Sequence, residues 1–116
     1  MRRGDVLWAD LGRPVGREAS QRRPVVIVSH DALNRVVAGL RRGVVTVVPI
    51  TTNVDRIYPF QVFLAADETG LPADGKAQAE QVRAVAVERL LSGPVGALPA
   101  ERLRRLDEAL RLHLAL

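Results

Sequence analysis

The chain has 116 residues, 47% of them hydrophobic and 26% charged, with a net charge of +4 and no cysteine. That length supports a single domain with a modest core, and the balance of residue types is that of a globular protein. Without cysteine, disulfides, thiolate metal sites and thiol nucleophiles are excluded; with no leader-like segment and no long apolar run, a cytoplasmic location away from membranes is expected.

In chain order, Gly4-Asp5 leads into Val6–Leu11, read as a first strand from its length and composition. Gly12–Arg23 is a connection rich in Gly, Arg and polar side chains, and a loop of that length in so small a domain is commonly functional. Val25–Val28 is a continuous β-branched run, the pattern of a strand covered on both faces. Asp31 is placed to cap a short helical turn around Ala32–Arg35, and Gly39–Gly43 reads as a second basic loop. Val44–Thr52 predicts a third strand, in which Pro49 cannot donate to a ladder and marks an edge or a bulge. Asn53–Pro59 is the next polar loop, followed by a strand at Phe60–Leu64. Asp74-Gly75 signals a tight turn before a strand from Lys76 to about Val87, with Val82, Ala84 and Ala86 on one side and Gln81 and Arg83 on the other. From Pro99 the apolar period becomes helical, with Leu103, Leu106, Leu110 and Leu114 in one stripe. These elements predict a small, strongly bent sheet or partial barrel, one domain over residues 1–116, closed by a C-terminal helix.

The charge is unevenly placed. Residues 1–60 hold ten Arg against five acids, whereas residues 61–116 hold seven basic groups against eight acids. The loops of the positive half suit a polyanion such as nucleic acid. His30 and His113 stand alone, without the companion spacing of a metal site. The acids are scattered, and neither a phosphate-binding Gly-rich loop nor a Gly-x-Ser-x-Gly elbow occurs.

What remains is Arg23 with Arg22, Glu18, Thr51 and Thr52, at the ends of adjacent predicted strands. Pro24 fixes its own backbone and biases Arg23 toward an extended conformation, so the guanidinium projects from a set point at the mouth of the sheet. Its fork of donors matches phosphate oxygens. Such a set suits metal-free chemistry on RNA, which carries its own nucleophile in the 2′-hydroxyl. The enzyme has to remove that proton, stabilise the phosphorane and protonate the departing 5′-oxygen.

Arg3-Gly4-Asp5-Val6-Leu7-Trp8-Ala9-Asp10-Leu11, Gly16-x-Glu18, Arg23-Pro24-Val25-Val26-Ile27-Val28, Pro49-Ile50-Thr51-Thr52, Pro59-Phe60, Glu80-Gln81-Val82-Arg83 and Leu106-Asp107-Glu108-Ala109-Leu110 occur in this order. From Arg2 to Leu116 the chain resembles the MazF/PemK toxins, mRNA interferases of bacterial toxin–antitoxin modules. The resemblance implies a mainly β fold with α, an SH3-like small barrel of the CcdB/MazF type with a C-terminal helix, acting as a two-fold homodimer. It also implies cleavage of single-stranded RNA at specific short sequences, with neither metal nor cofactor, leaving a 2′,3′-cyclic phosphate and a 5′-hydroxyl. Arg23 and Thr51 match the family's catalytic positions, and loops Gly12–Arg22 and Asn53–Tyr58 match those that frame its RNA groove. Arg17, Glu18, Arg22, Thr52, Asn53, Tyr58 and Gln81 are then the candidate RNA-binding residues. A cognate antitoxin with a disordered acidic tail is the implied inhibitor. The family's loop usually reads Gly-Ser-Glu-x-Gly-Gly; here it reads Gly16-Arg17-Glu18-Ala19-Ser20-Gln21, stiffer and more basic.

Each residue also has a plainer role. Arg23 would pair with Asp10 or Glu18 on an ordinary surface, and Thr51 would be a simple strand residue. Trp8 and Phe60 suit packing, Tyr58 suits stacking on a base, and Gln81 suits either an RNA contact or a structural one. His113 is read as packing in the helix, and Pro72–Gly75 as lying away from the groove. Two rival functions remain at this point: a CcdB-like gyrase-inhibiting toxin and a non-catalytic nucleic-acid-binding module. Neither needs both Arg23 and Thr51.

Overall fold

The computed structural model describes residues 1–116. Seven antiparallel strands curl into a half-barrel: β1 (Asp5–Asp10), β2 (Arg22–Ile27), β3 (Val44–Thr51), β4 (Gln61–Leu64), β5 (Gly75–Gln78), β6 (Arg83–Ala86) and β7 (Gly96–Ala97). Three helices accompany them: α1 (Asp31–Leu40), α2 (Ala66–Thr69) and α3 (Ala100–Leu114). The sheet runs β4-β5-β3-β2-β1-β7, and β6 also lies along β3. The strongly bent sheet with its terminal helix is the architecture that the sequence predicts.

Strand β3 is the spine. It pairs with β2 along one edge, and along the other with β6 near its start and β5 near its end. The single long strand expected over Lys76–Val87 is therefore broken by a tight turn at Ala79–Gln81. Pro49 supplies the reason. Thr46 turns its carbonyl toward β2, accepting from the amide of Val28, so by the two-residue period Pro49 faces the opposite edge. It has no N–H to offer there, and the neighbouring chain leaves the ladder at that point. The break also shifts the faces of β6: Val85 is buried and Ala84 exposed, not the alternation expected from an unbroken strand.

Both faces of the sheet are covered, as the Val25–Val28 run predicts. Val26, Val48, Val6 and Ile50 pack with Leu106 and Ala109 of α3, while Val25, Ile27, Val47 and Leu7 pack with Val37 of α1. Leu103 and Leu110 flank the α3 contact, but Leu114 and His113 lie beyond the sheet and are exposed, so His113 does not pack.

Helix α1 is longer than the short turn expected. Its cap is His30, whose Nδ1 accepts from the amide of Ala32. Asp31 is not the cap because its carboxylate accepts from the amide of Arg3 at 2.6 Å, a bond that holds its pKa below the ordinary carboxylate value. Helix α2 and strand β7 carry little sequence signal. They meet where Cβ atoms on Gly70 and Gly96 would come within 2.3 Å and 2.1 Å of the carbonyl oxygens of Val95 and Thr69. Only two glycines permit that approach. Glu68 ties α2 to α3: its carboxylate accepts from the Ala65 amide and from Arg102, and both bonds lower its pKa, the backbone one more.

Candidate active site

Arg23 and Thr51 belong to neighbouring strands, each two residues beyond Val25 and Pro49, the last pair of the β2–β3 ladder. Both line one open cleft of about 340 Å³ at the strand ends, together with Arg22, Thr52, Ser20, Gln21, Trp8, Pro24 and Ile50. Trp8 spans two roles, packing partly against the core while forming a wall of the cleft.

The Arg23 side chain is half-buried and tethered by one bond only, from Nε to the carbonyl of Ser20 at 3.0 Å. It pairs with neither Asp10 nor Glu18; the two ion pairs of the molecule are Arg3–Asp107 and Arg102–Glu68. Its terminal nitrogens are thus left for a ligand, held at a fixed height by the Ser20 tether and by Pro24. Thr51 Oγ1 accepts from the amide of Asn53 at 3.3 Å. That bond orients the hydroxyl and leaves its proton free to donate. A guanidinium with unpartnered N–H groups opposite a free hydroxyl proton is a receptor for a phosphate's non-bridging oxygens.

Two loops rise on either side. The first, residues 11–21, closes at a neck of two backbone bonds, Leu11 N to Gln21 O and Gln21 N to Gly12 O. Gln21 adopts φ 60° there, a left-handed conformation where the family's usual loop carries glycine. The Gln81 amide grips this loop at two points, accepting from Ala19 N and donating to Arg17 O. Glu18 accepts from Val15 N and so braces the exposed tip. The second loop, residues 52–60, holds Asn53 in a turn with Asp55 N, while Tyr58 N donates to Gln61 and Gln61 donates to Glu80. Tyr58 stacks on Phe60 with ring centroids 5.3 Å apart.

Of the residues singled out from sequence, the fold therefore gathers Arg22, Arg23, Thr51 and Thr52 on the cleft walls. Arg17, Glu18, Asn53, Tyr58 and Gln81 lie in or against the flanking loops. His30, at the start of α1, is not a lining residue. Ser20 and Gln21 line the cleft without having been singled out; their position in the loop just before Arg22-Arg23-Pro24 was the available signal. Pro72–Gly75 does not lie away from the groove: it lines a small apolar notch that shares Trp8, Pro24, Ile50 and Thr52 with the cleft. No three His, Asp or Glu side chains gather as a possible metal-binding group.

Residues 2–114 match the family model described as PemK-like, MazF-like toxin of type II toxin-antitoxin system. The chain belongs to this family. It is 53% identical over 116 residues to endoribonuclease MazF9 of Mycobacterium tuberculosis (strain ATCC 25618 / H37Rv), covering 100% of this chain and 98% of that protein. To endoribonuclease EndoA of Bacillus subtilis (strain 168) it is 32% identical over 117 residues, covering 100% and 96%. Among solved structures, an endoribonuclease in complex with its cognate antitoxin from Mycobacterial species is 26% identical with a TM-score of 0.77, covering 100% of this chain and 96% of that one. MazF from Deinococcus radiodurans, 24% identical with 100% and 97% coverage, shares the fold at a TM-score of 0.82. The bent sheet and C-terminal helix are thus the MazF-family fold. No helix of the chain is long and apolar enough to cross a membrane.

Proposed function

We propose that this toxin-family chain is an endoribonuclease that cleaves single-stranded RNA at specific short sequences, with Arg23 and Thr51 as its catalytic pair. The observation that carries the reading is the shared cleft, in which an Arg without an acidic partner stands beside a Thr whose hydroxyl proton is free. The endoribonuclease activity of the curated relatives supports it, and those relatives lend no support to gyrase inhibition or to passive binding.

In the proposed reaction the 2′-oxygen attacks the adjacent phosphorus and the bond from phosphorus to the 5′-oxygen breaks. The products are a 2′,3′-cyclic phosphate and a 5′-hydroxyl. Arg23 meets the non-bridging oxygens, where charge builds in the phosphorane, and Thr51 donates a second hydrogen bond. Arginine offers donors and no acceptor, so the proton leaving the 2′-hydroxyl passes to water, and the 5′-oxygen takes one from water in turn. No step requires a metal or another cofactor.

Arg22 and Thr52 on the walls, Arg17 at the loop tip, and Asn53 and Tyr58 in the second loop are the proposed RNA contacts, with Glu18 and Gln81 shaping the first loop. The family resemblance supports a homodimer, and a cognate antitoxin whose acidic tail covers the same basic cleft. A cytoplasmic setting, where RNA is at hand, fits this role.

The test is incubation of the purified protein with mixed-sequence RNA in EDTA, followed by mapping of the cut ends. Cleavage should persist in EDTA, leave cyclic phosphate and 5′-hydroxyl ends, and stop at any site carrying a 2′-deoxy sugar on its 5′ side. Cutting of the 2′-deoxy substrate would remove the mechanism.

A further inference from the structure

Lys76 is the one lysine among seventeen basic residues, and it is buried, 7% exposed. Burying an ammonium is unfavourable unless its donors find partners, yet it forms neither of the molecule's ion pairs. Nζ instead donates to the carbonyl of Arg56 at 2.5 Å and stands 6.0 Å from the centroid of the Tyr58 ring. The guanidinium of Arg56 lies over the same ring at 5.1 Å. Along the sheet Lys76 pairs with Thr51 in β3 and with Phe63 in β4, so its side chain shares a face with that of Thr51.

We propose that Lys76 is a positioning residue for RNA recognition, fixing the 52–60 loop so that Tyr58 and Arg56 are presented to the nucleotide beside the scissile phosphate. The proposal rests on the endoribonuclease reading. A charged donor bound to a backbone carbonyl is stronger than a neutral one, and it acts here on a loop that otherwise relies on its own short-range turns and on Gln61. A loop ordered before the ligand arrives does not have to be ordered by it, which favours binding over turnover as the quantity affected. Lys76 itself stays beneath the loop and does not touch RNA.

Lys76→Met retains most of the stem and removes the ammonium. On an oligonucleotide bearing the strongest mapped cut site, KM should rise roughly tenfold, in line with losing a charged hydrogen bond, while kcat stays within about twofold. The amide of Tyr58 should exchange with solvent roughly tenfold faster, with core amides such as Val26 unchanged. Should the Met variant fail to fold, Lys76→Gln carries the same two measurements. Unchanged KM, unchanged Tyr58 exchange, or a fall in kcat at constant KM would each overturn the proposal. If the wild-type protein cuts no RNA at all, the functional reading fails, and the exchange measurement still decides whether Lys76 holds the loop.

Discussion

The two loops that flank the cleft are held in opposite ways. Loop 11–21 is closed by its own backbone at the Leu11–Gln21 neck and gripped from outside by a neutral amide, Gln81, with Arg83 adding a bond to the carbonyl of Leu11. Loop 52–60 has no such neck and is held from beneath by a buried charge, Lys76, and by the Gln61–Glu80 pair. Both sets of holding side chains come from the β5–turn–β6 segment or the strand next to it, on the edge of β3 that Pro49 disrupts. The turn at Ala79–Gln81 is thus useful as well as tolerated: it swings Glu80 toward one loop and Gln81 toward the other. Each loop is also rooted in a proposed catalytic residue, Arg23 just after the first and Thr51 just before the second.

The largest expected effects lie at those two roots and separate them by charge. Arg23→Ala should lower the cleavage rate on the order of 100- to 1,000-fold, the usual cost of losing one charge-stabilising donor at a reacting centre. Its melting temperature should stay close to wild type, since the side chain makes a single tether to Ser20. Thr51→Val, which keeps the β-branched shape, should cost less, about 10- to 100-fold, because a neutral donor contributes roughly half of what a charged one does. Single-turnover rates on one RNA oligonucleotide would rank the two. A Thr51 effect exceeding that of Arg23 would reverse the assignment of which residue carries the phosphorane.

These roots were also the most legible part of the site. Arg23 sits before a proline that opens a β-branched strand, and Thr51 follows a proline inside one, so local backbone chemistry marks both. Strands β1 to β4 and helix α3 were legible for the same reason: each has a run or a period of its own. What the sequence did not show depends on residues far apart in the chain. Gln81 reads as an alternating strand residue until the break opposite Pro49 frees its amide to reach Ala19 and Arg17. Lys76 stood out only as the single lysine, with nothing local to say that it is buried against Arg56. Helix α2 and strand β7 are short and held by the mutual approach of Gly70 and Gly96, a contact between segments some 26 residues apart that no local pattern encodes.

The smaller effects test the loop supports themselves. Gln81→Ala removes two hydrogen bonds to loop 11–21, each contributing on the order of 1 kcal/mol. In the absence of RNA, trypsin should then cut after Arg17 roughly thirtyfold faster, the factor that corresponds to about 2 kcal/mol of loosened structure. A side chain that served only as an RNA contact would leave that rate unchanged while still weakening binding, so the measurement distinguishes the two roles of Gln81.

The smallest effect lies in the frame behind both loops, where Glu68 joins α2 to α3. The Ala65 amide, and after it Arg102, hold this carboxyl's pKa below its ordinary value of 4.5. A depressed carboxylate stabilises the folded state above its unfolded-state pKa and loses that contribution as pH falls through the folded one. The melting temperature of the wild type should therefore decline as pH drops below about 4.5, with Asp31, lowered in the same sense by the Arg3 amide, adding to the decline at the acid end. Glu68→Gln retains an acceptor for the Ala65 amide but has no charge to lose, so its melting temperature should start slightly lower at neutral pH and fall less steeply. Parallel acid profiles for the two proteins would show that the tie between α2 and α3 owes nothing to the ionised carboxylate, and would assign the acid sensitivity of the frame to Asp31 and the remaining acids.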